Sequence, residues 1–131
     1  MIKVLLIESD PKTRDIIEVG LDNFQVFEVD HADDAWAVDM AKEKSYDLVL
    51  VNLELANHVD GMDVVRQIRE ADSEVEIIVI TKGKSSRLLS KEKAVSGVFA
   101  LLPTPVEELA FFKLIGRVRD RIETKKKKRD T

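Results

Sequence analysis

The polar residues of this chain that could do chemistry sit just past the ends of short apolar runs. Glu8, Ser9 and Asp10 follow the first run, Asn52 the third, Thr81 and Lys82 the fourth, and Thr104 with Pro105 the last. If these ends open on one side, a carboxylate, several hydroxyls and an ammonium gather there. Asn52, at the end of YDLVLVNLEL, supplies an amide where a carboxylate would do more chemistry. Other catalytic devices are absent. The chain has no cysteine, so a thiol nucleophile, a zinc-thiolate site and a disulfide framework are excluded. His31 and His58 are isolated and read as surface residues, and the glycines form no GxGxxG, which argues against a dinucleotide or flavin site.

The elements that must position these residues alternate in type. Short β-branched runs at 2–7, 24–29, 47–51, 75–80 and 97–102 read as five strands. Between them, helical patterns run from Pro11 to Leu21, with Ile16, Ile17, Gly20 and Leu21 on one face, from Asp33 to Lys44 and from Met62 to Ala71. A weaker pattern lies near 86–95, and a last one runs from Pro105 to about Thr124. Strands apolar on both faces with helices between them predict a parallel sheet covered on both sides: a (βα)5 doubly wound α/β domain of the flavodoxin-like type. In such folds ligands gather beyond the carboxyl ends of the strands, where the strand order reverses.

The ordered set IESDP, YDLVLVNLEL, Asp60-Gly61, VITKG and LLPTPV resembles the receiver (CheY-like) domain of bacterial response regulators, over nearly the whole chain. The resemblance implies two-component or phosphorelay signalling. In that family two adjacent acids bind Mg²⁺, an aspartate after the third strand takes a phosphoryl group from a histidine kinase, and a hydroxyl and a lysine hold that group. Carried over, Glu8 matches the first acid and Ser9 stands in place of the second. Asn52 replaces the phosphoacceptor, Thr81 keeps the hydroxyl, and Thr104 before Pro105 takes the lysine's place. Lys82 replaces a small residue, Leu101 stands where an aromatic switch residue is usual, and the loop from Asn52 to Gly61 is about one residue longer than usual.

These departures change the chemistry. An acyl phosphate needs a carboxylate oxygen, and an amide oxygen is a poor nucleophile that would have to shed a stable amide. Glu8 with backbone carbonyls makes a weak Mg²⁺ site at best, and without a lysine at 104 no cation at that position neutralises a phosphoryl group. The expectation is a degenerate, or pseudo-, receiver with no catalytic residue, no metal and no cofactor, and a Glu8–Lys82 ion pair in place of Mg²⁺. The alternatives are a phosphorylatable receiver with an unusual site and a small-ligand binder using the vacated pocket.

A phosphate-independent module must act through protein contacts. Phe111, Ile115, Val118 and Ile122 form a core stripe on the last helix. Leu109 and Phe112 widen the apolar arc beside it and are candidates for a docking or homodimer surface shared with the fifth strand and the 86–95 helix. Trp36 and Met40 form a second candidate patch. The net charge is −4, and KKKKR at 125–129 supplies five of the 21 basic residues, so the body before it is more acidic still and disfavours nucleic acid. Residues 1–124 are expected to form one domain, with 125–131 a basic tail or linker. No run approaches the roughly 18 apolar residues of a membrane span, so a cytoplasmic location is expected.

Overall fold

The computed structural model describes residues 1–33, 36–82 and 97–130. The helical pattern near 86–95 lies outside the described residues. Within them the order is β1 (Ile2–Ile7), α1 (Pro11–Asp22), β2 (Phe27–Ala32), α2 (Trp36–Glu43), β3 (Leu48–Asn52) and a 3₁₀ turn (Ala56–His58). Then follow α3 (Gly61–Ala71), β4 (Glu76–Lys82), β5 (Ala100–Thr104) and α4 (Glu108–Asp130). All strand pairs are parallel, in the order β2-β1-β3-β4-β5. This is the expected doubly wound sheet, and its order reverses between β1 and β3.

Alternation along each strand divides the core into two layers. Val4 and Leu6 of β1 point to the side covered by α1 and α4, where Ile17, Leu21, Phe111 and Ile115 pack. Leu5 and Ile7 point to the opposite side, with Ala37, Val38, Val64 and Ile68 of α2 and α3. The anticipated stripe of α4 is buried in full, together with Leu114. Close helix packing depends on Gly20, because a β-carbon there would sit 2.4 Å from the Phe111 ring.

Some boundaries move, each for a local reason. The strand expected from residue 24 begins at Phe27 because α1 overruns into a turn: Phe24 N–H donates to Leu21 O at 3.1 Å, and Gln25 adopts φ +56°. Phe24 thereby leaves the strand and stacks on Phe112 with centroids 5.0 Å apart. On α1, Ile17 and Leu21 are buried but Ile16 is 42% exposed, so Ile16 leaves the core face expected of it. β5 starts later than expected, after Gly97 turns at φ +94°.

The last helix does not stop near Thr124 but runs on to Asp130. Its extra turns are held at the amino end of the sheet. Lys125 Nζ donates to Glu76 Oε1 at 2.6 Å and Glu74 O at 2.8 Å, and Lys126 Nζ lies 3.1 Å from Asp47 Oδ2. Arg121 Nε donates to the same Glu76 oxygen at 2.8 Å. Burial pushes the Glu76 carboxyl up, but Lys125 and Arg121 outweigh it and hold it below its ordinary value.

Candidate functional site

Where β1 and β3 part at the reversal of strand order, their carboxyl ends bring Glu8 and Asn52 face to face. Glu8 is buried, only 1% exposed. Asn52 Nδ2 donates to Glu8 Oε2 at 2.6 Å, and Asp10 N–H donates to Glu8 Oε1 at 3.0 Å. On its other side Asn52 Oδ1 accepts from Glu54 N–H at 2.8 Å, and these two bonds fix which way the amide points. Burial raises the Glu8 carboxyl above its ordinary value, while the bonds from Asn52 and Asp10 oppose that rise.

The neighbouring positions are held just as locally. Asp10 caps α1, with Oδ2 accepting from Thr13 N–H at 3.2 Å and Thr13 Oγ1 at 2.7 Å, and Pro11 opens the helix. The bonds from Thr13 hold the Asp10 carboxyl below its ordinary value. Ser9 Oγ accepts from Ala56 N–H at 3.2 Å, which ties the end of β1 to the loop after β3. That loop spends two residues, Asn57 and His58, at positive φ. It returns to α3 through Asp60, whose Oδ1 accepts from Met62 N–H at 2.9 Å. Gly61 is required there: a β-carbon would meet Asn52 O at 2.2 Å. The glycine therefore lets α3 begin directly against the backbone of the residue at the centre of the site.

Across the mouth, Thr81 is buried and Thr104 half-buried, with Thr104 Oγ1 3.5 Å from Thr81 O. Lys82 and Thr104 are register partners in the β4–β5 ladder, and Pro105 follows Thr104 through a cis peptide. Lys82 does not form the expected pair with Glu8. Its ammonium lies 3.0 Å from Glu54 Oε2 instead, with both side chains mostly exposed, while Glu8 takes its second donor from Asn52. The physical reason is that a buried carboxylate is satisfied most cheaply by a neutral amide already at the strand end, whereas an ammonium on an exposed strand terminus keeps its hydration by pairing at the rim. The only mark of Glu54 in the sequence is that it is an acid two residues past Asn52 in the same loop.

Together Glu8, Ser9, Asp10, Asn52, Glu54, Lys82 and Thr104 line a cleft of about 240 Å³. Leu101 is half-buried and packs on the α2–α3 side. Among the described residues, no group of three or more His, Cys, Asp or Glu side chains is placed to hold a metal ion, and no helix is long and apolar enough to cross a membrane. His31 pairs with Glu18 at the surface, away from this cleft.

The candidate contact residues separate into two surfaces. Leu109 and Phe112 are 58% and 56% exposed on α4. Trp36, 70% exposed, and Met40, which packs at the core margin, belong to α2 on the opposite side of the sheet.

A family model described as the response regulator receiver domain matches residues 4–115. The probable transcriptional regulatory protein SilR of Salmonella typhimurium is 32% identical over 119 residues, which cover 89% of this chain and 49% of SilR. The cell cycle transcriptional regulator CtrA of Caulobacter vibrioides is 35% identical over 97 residues, covering 72% of this chain and 40% of CtrA. This chain therefore spans about half the length of such relatives or less. Among solved structures, the chemotaxis response regulator CheY4 of Vibrio cholerae superposes with a TM-score of 0.77 at 23% identity, covering 90% of this chain and 98% of CheY4.

Proposed function

This chain belongs to the response regulator receiver family of two-component signalling, and within it we propose a pseudo-receiver that signals through protein contacts without taking up phosphate. One observation carries the reading: the group that faces Glu8 at the strand mouth is the Asn52 amide, donating a hydrogen bond at 2.6 Å. A phosphoacceptor at that position needs a carboxylate oxygen to attack phosphorus, and Asn52 spends its oxygen on Glu54 N–H.

The donor set also does not fit Mg²⁺, which binds through oxygen ligands and keeps several waters. Both Glu8 oxygens already accept protein hydrogen bonds, Ser9 Oγ is engaged by Ala56 N–H, and Asn52 turns a donor, Nδ2, toward Glu8. What the site does is hold the β1, β3 and α3 ends in one arrangement, with Asn52 replacing by hydrogen bonding the cohesion that a cation gives to paired acids. The cleft does not favour a small-ligand reading, since about 240 Å³ falls short of the roughly 300 Å³ at which ligand pockets begin, and the Lys82–Glu54 pair lies on its wall.

Residues 1–124 act in this reading as the module, and 125–130 as a basic helical extension of it. The test is an amide spectrum of the chain titrated with Mg²⁺ and then with beryllofluoride. The expected result is no saturable shift at residues 8–10, 52–54, 81–82 or 104. Saturable shifts in this cluster would show a competent phosphoryl site and overturn the reading.

A further inference from the structure

β2 is the outer strand of the sheet and pairs on one side only, with β1. The ladder uses its even-numbered residues. Ile2 N–H donates to Val26 O at 2.7 Å and Glu8 N–H to Ala32 O at 3.3 Å, in a parallel register that sets Ile2 beside Phe27 and Leu6 beside His31. In that register the N–H and C=O groups of Phe27, Val29 and His31 point away from β1, and among the described residues no backbone bond outside the sheet engages them. The open edge is thus a row of unpaired donors and acceptors.

Beside this row, between β2 and α1, lies a groove of about 340 Å³. Its apolar lining is Val19, Phe27 and Val29, with Val19 63% exposed, and its charged lining is Glu18, Asp22 and His31. His31 pairs with Glu18, whereas the exposed Asp22 carboxylate has no ion-pair partner among the described residues. Arg14, one turn before Glu18, does not line the groove, and its charge acts on Glu8. On the other face of the strand, Lys3 is the register partner of Glu28, and Asp30 Oδ2 accepts from Tyr46 Oη at 2.7 Å and Lys44 Nζ at 3.3 Å.

Open edges are ordinarily blunted by lysine, proline, a bulge or a very short strand. β2 is six residues long, contains no proline, lysine or arginine, and keeps an unbroken register with β1. Its own carboxylates, Glu28 and Asp30, are the guard that remains. They act against a second copy, because two β2 strands paired antiparallel about Val29 would set Glu28 opposite Asp30. They do not act against a basic strand.

We propose that a basic, extended segment of a partner protein adds to β2 as a further strand. Its backbone pairs with Phe27, Val29 and His31, an apolar side chain enters the groove at Val19 and Val29, and a lysine or arginine meets Asp22. The proposal rests on the β2 edge and not on Asn52, so either can fail without the other.

The probe is the capped heptapeptide Arg-Lys-Val-Lys-Val-Lys-Arg, which reads the same in both chain directions and presents two valines flanked by arginines on one face. Amide spectra of the full chain titrated with it should show saturable shifts centred on residues 18–22 and 27–32, with slowed amide exchange at Phe27, Val29 and His31. Replacing every lysine and arginine of the peptide by glutamate, or methylating its three central amides, should weaken binding by about tenfold or more. On the protein, Val29→Pro should do the same, since its N–H lies outside the β1 ladder and proline there leaves that ladder whole. Asp22→Lys, at an exposed position, should weaken binding by about threefold. The absence of saturable shifts at β2 overturns the proposal, as does equal binding by the glutamate or methylated peptide. Unchanged binding by Asp22→Lys or by a folded Val29→Pro also overturns it; should Val29→Pro unfold, the methylated peptide decides. Protection of the β2 amides by self-association of the free chain at millimolar concentration would overturn it in favour of a second copy.

Discussion

The Asn52 side chain is bonded on both sides, so replacing its nitrogen by oxygen has a definite cost. Asn52→Asp removes the donor to Glu8 and sets a second carboxylate against it, and two charges about 4 Å apart repel by about 4 kcal/mol at an effective dielectric of 20 before relaxation. After the side chains part and water enters, the expected loss is about 1–2 kcal/mol at neutral pH. The pH dependence has a fixed sign. Burial already raises Glu8 above 4.5, so the folded state binds the proton more tightly than the unfolded one, and stability declines as pH rises from 4.5 through the folded value. Asn52→Asp should steepen that decline, and urea melts near pH 5 and pH 7 measure it; equal destabilisation at both would contradict the coupling. Rebuilding the site with Ser9→Asp, Asn52→Asp, Thr104→Lys and Lys82→Ala should create a Mg²⁺ response in thermal melts that wild type lacks, in proportion to metal occupancy of the folded state. The positions 8, 9, 52, 81 and 104 are legible in the sequence because apolar runs stop abruptly at them. Which donor Glu8 receives is not, because Asn52 and Lys82 both end strands beside it and only burial separates the neutral donor from the charged one.

At the scale of elements, α4 and α1 are fixed by a few contacts that substitution can isolate. Glu76 is buried, and its carboxylate receives Lys125 and Arg121. A depressed carboxyl contributes stability above its unfolded value of 4.5, lost as pH falls through the folded value. Glu76→Gln should therefore cost about 1–2 kcal/mol at neutral pH, the pair's worth being reduced by the exposure of Arg121, and should weaken the acid-side loss of stability. Hydrogen exchange should show faster opening of residues 121–130 in that variant; protection equal to wild type would mean the extension is held by something else. Gly20→Ala should cost about 1–3 kcal/mol by driving a methyl group into the Phe111 ring, read as a lowered melting temperature. The α4 core stripe is plain in the sequence from its spacing alone. Its continuation to Asp130 is not, because a run of lysines reads as a solvated tail until Glu76, Asp47 and the Glu74 carbonyl are brought beneath it by the fold.

The whole molecule is a five-stranded receiver fold whose working end is closed on itself and whose apolar surface lies elsewhere. The fold is legible because five apolar runs alternate with helical patterns, and that alternation admits few arrangements. The separation of Trp36 from Leu109 and Phe112 is not legible, because it depends on which side of the sheet each helix crosses. The central claim is that this receiver does not accept phosphate at Asn52. Intact mass of the chain after incubation with acetyl phosphate and Mg²⁺ tests it most directly. The account predicts an unchanged mass at every time point. A stoichiometric gain of one phosphoryl group, stable to acid and lost in base, would contradict it.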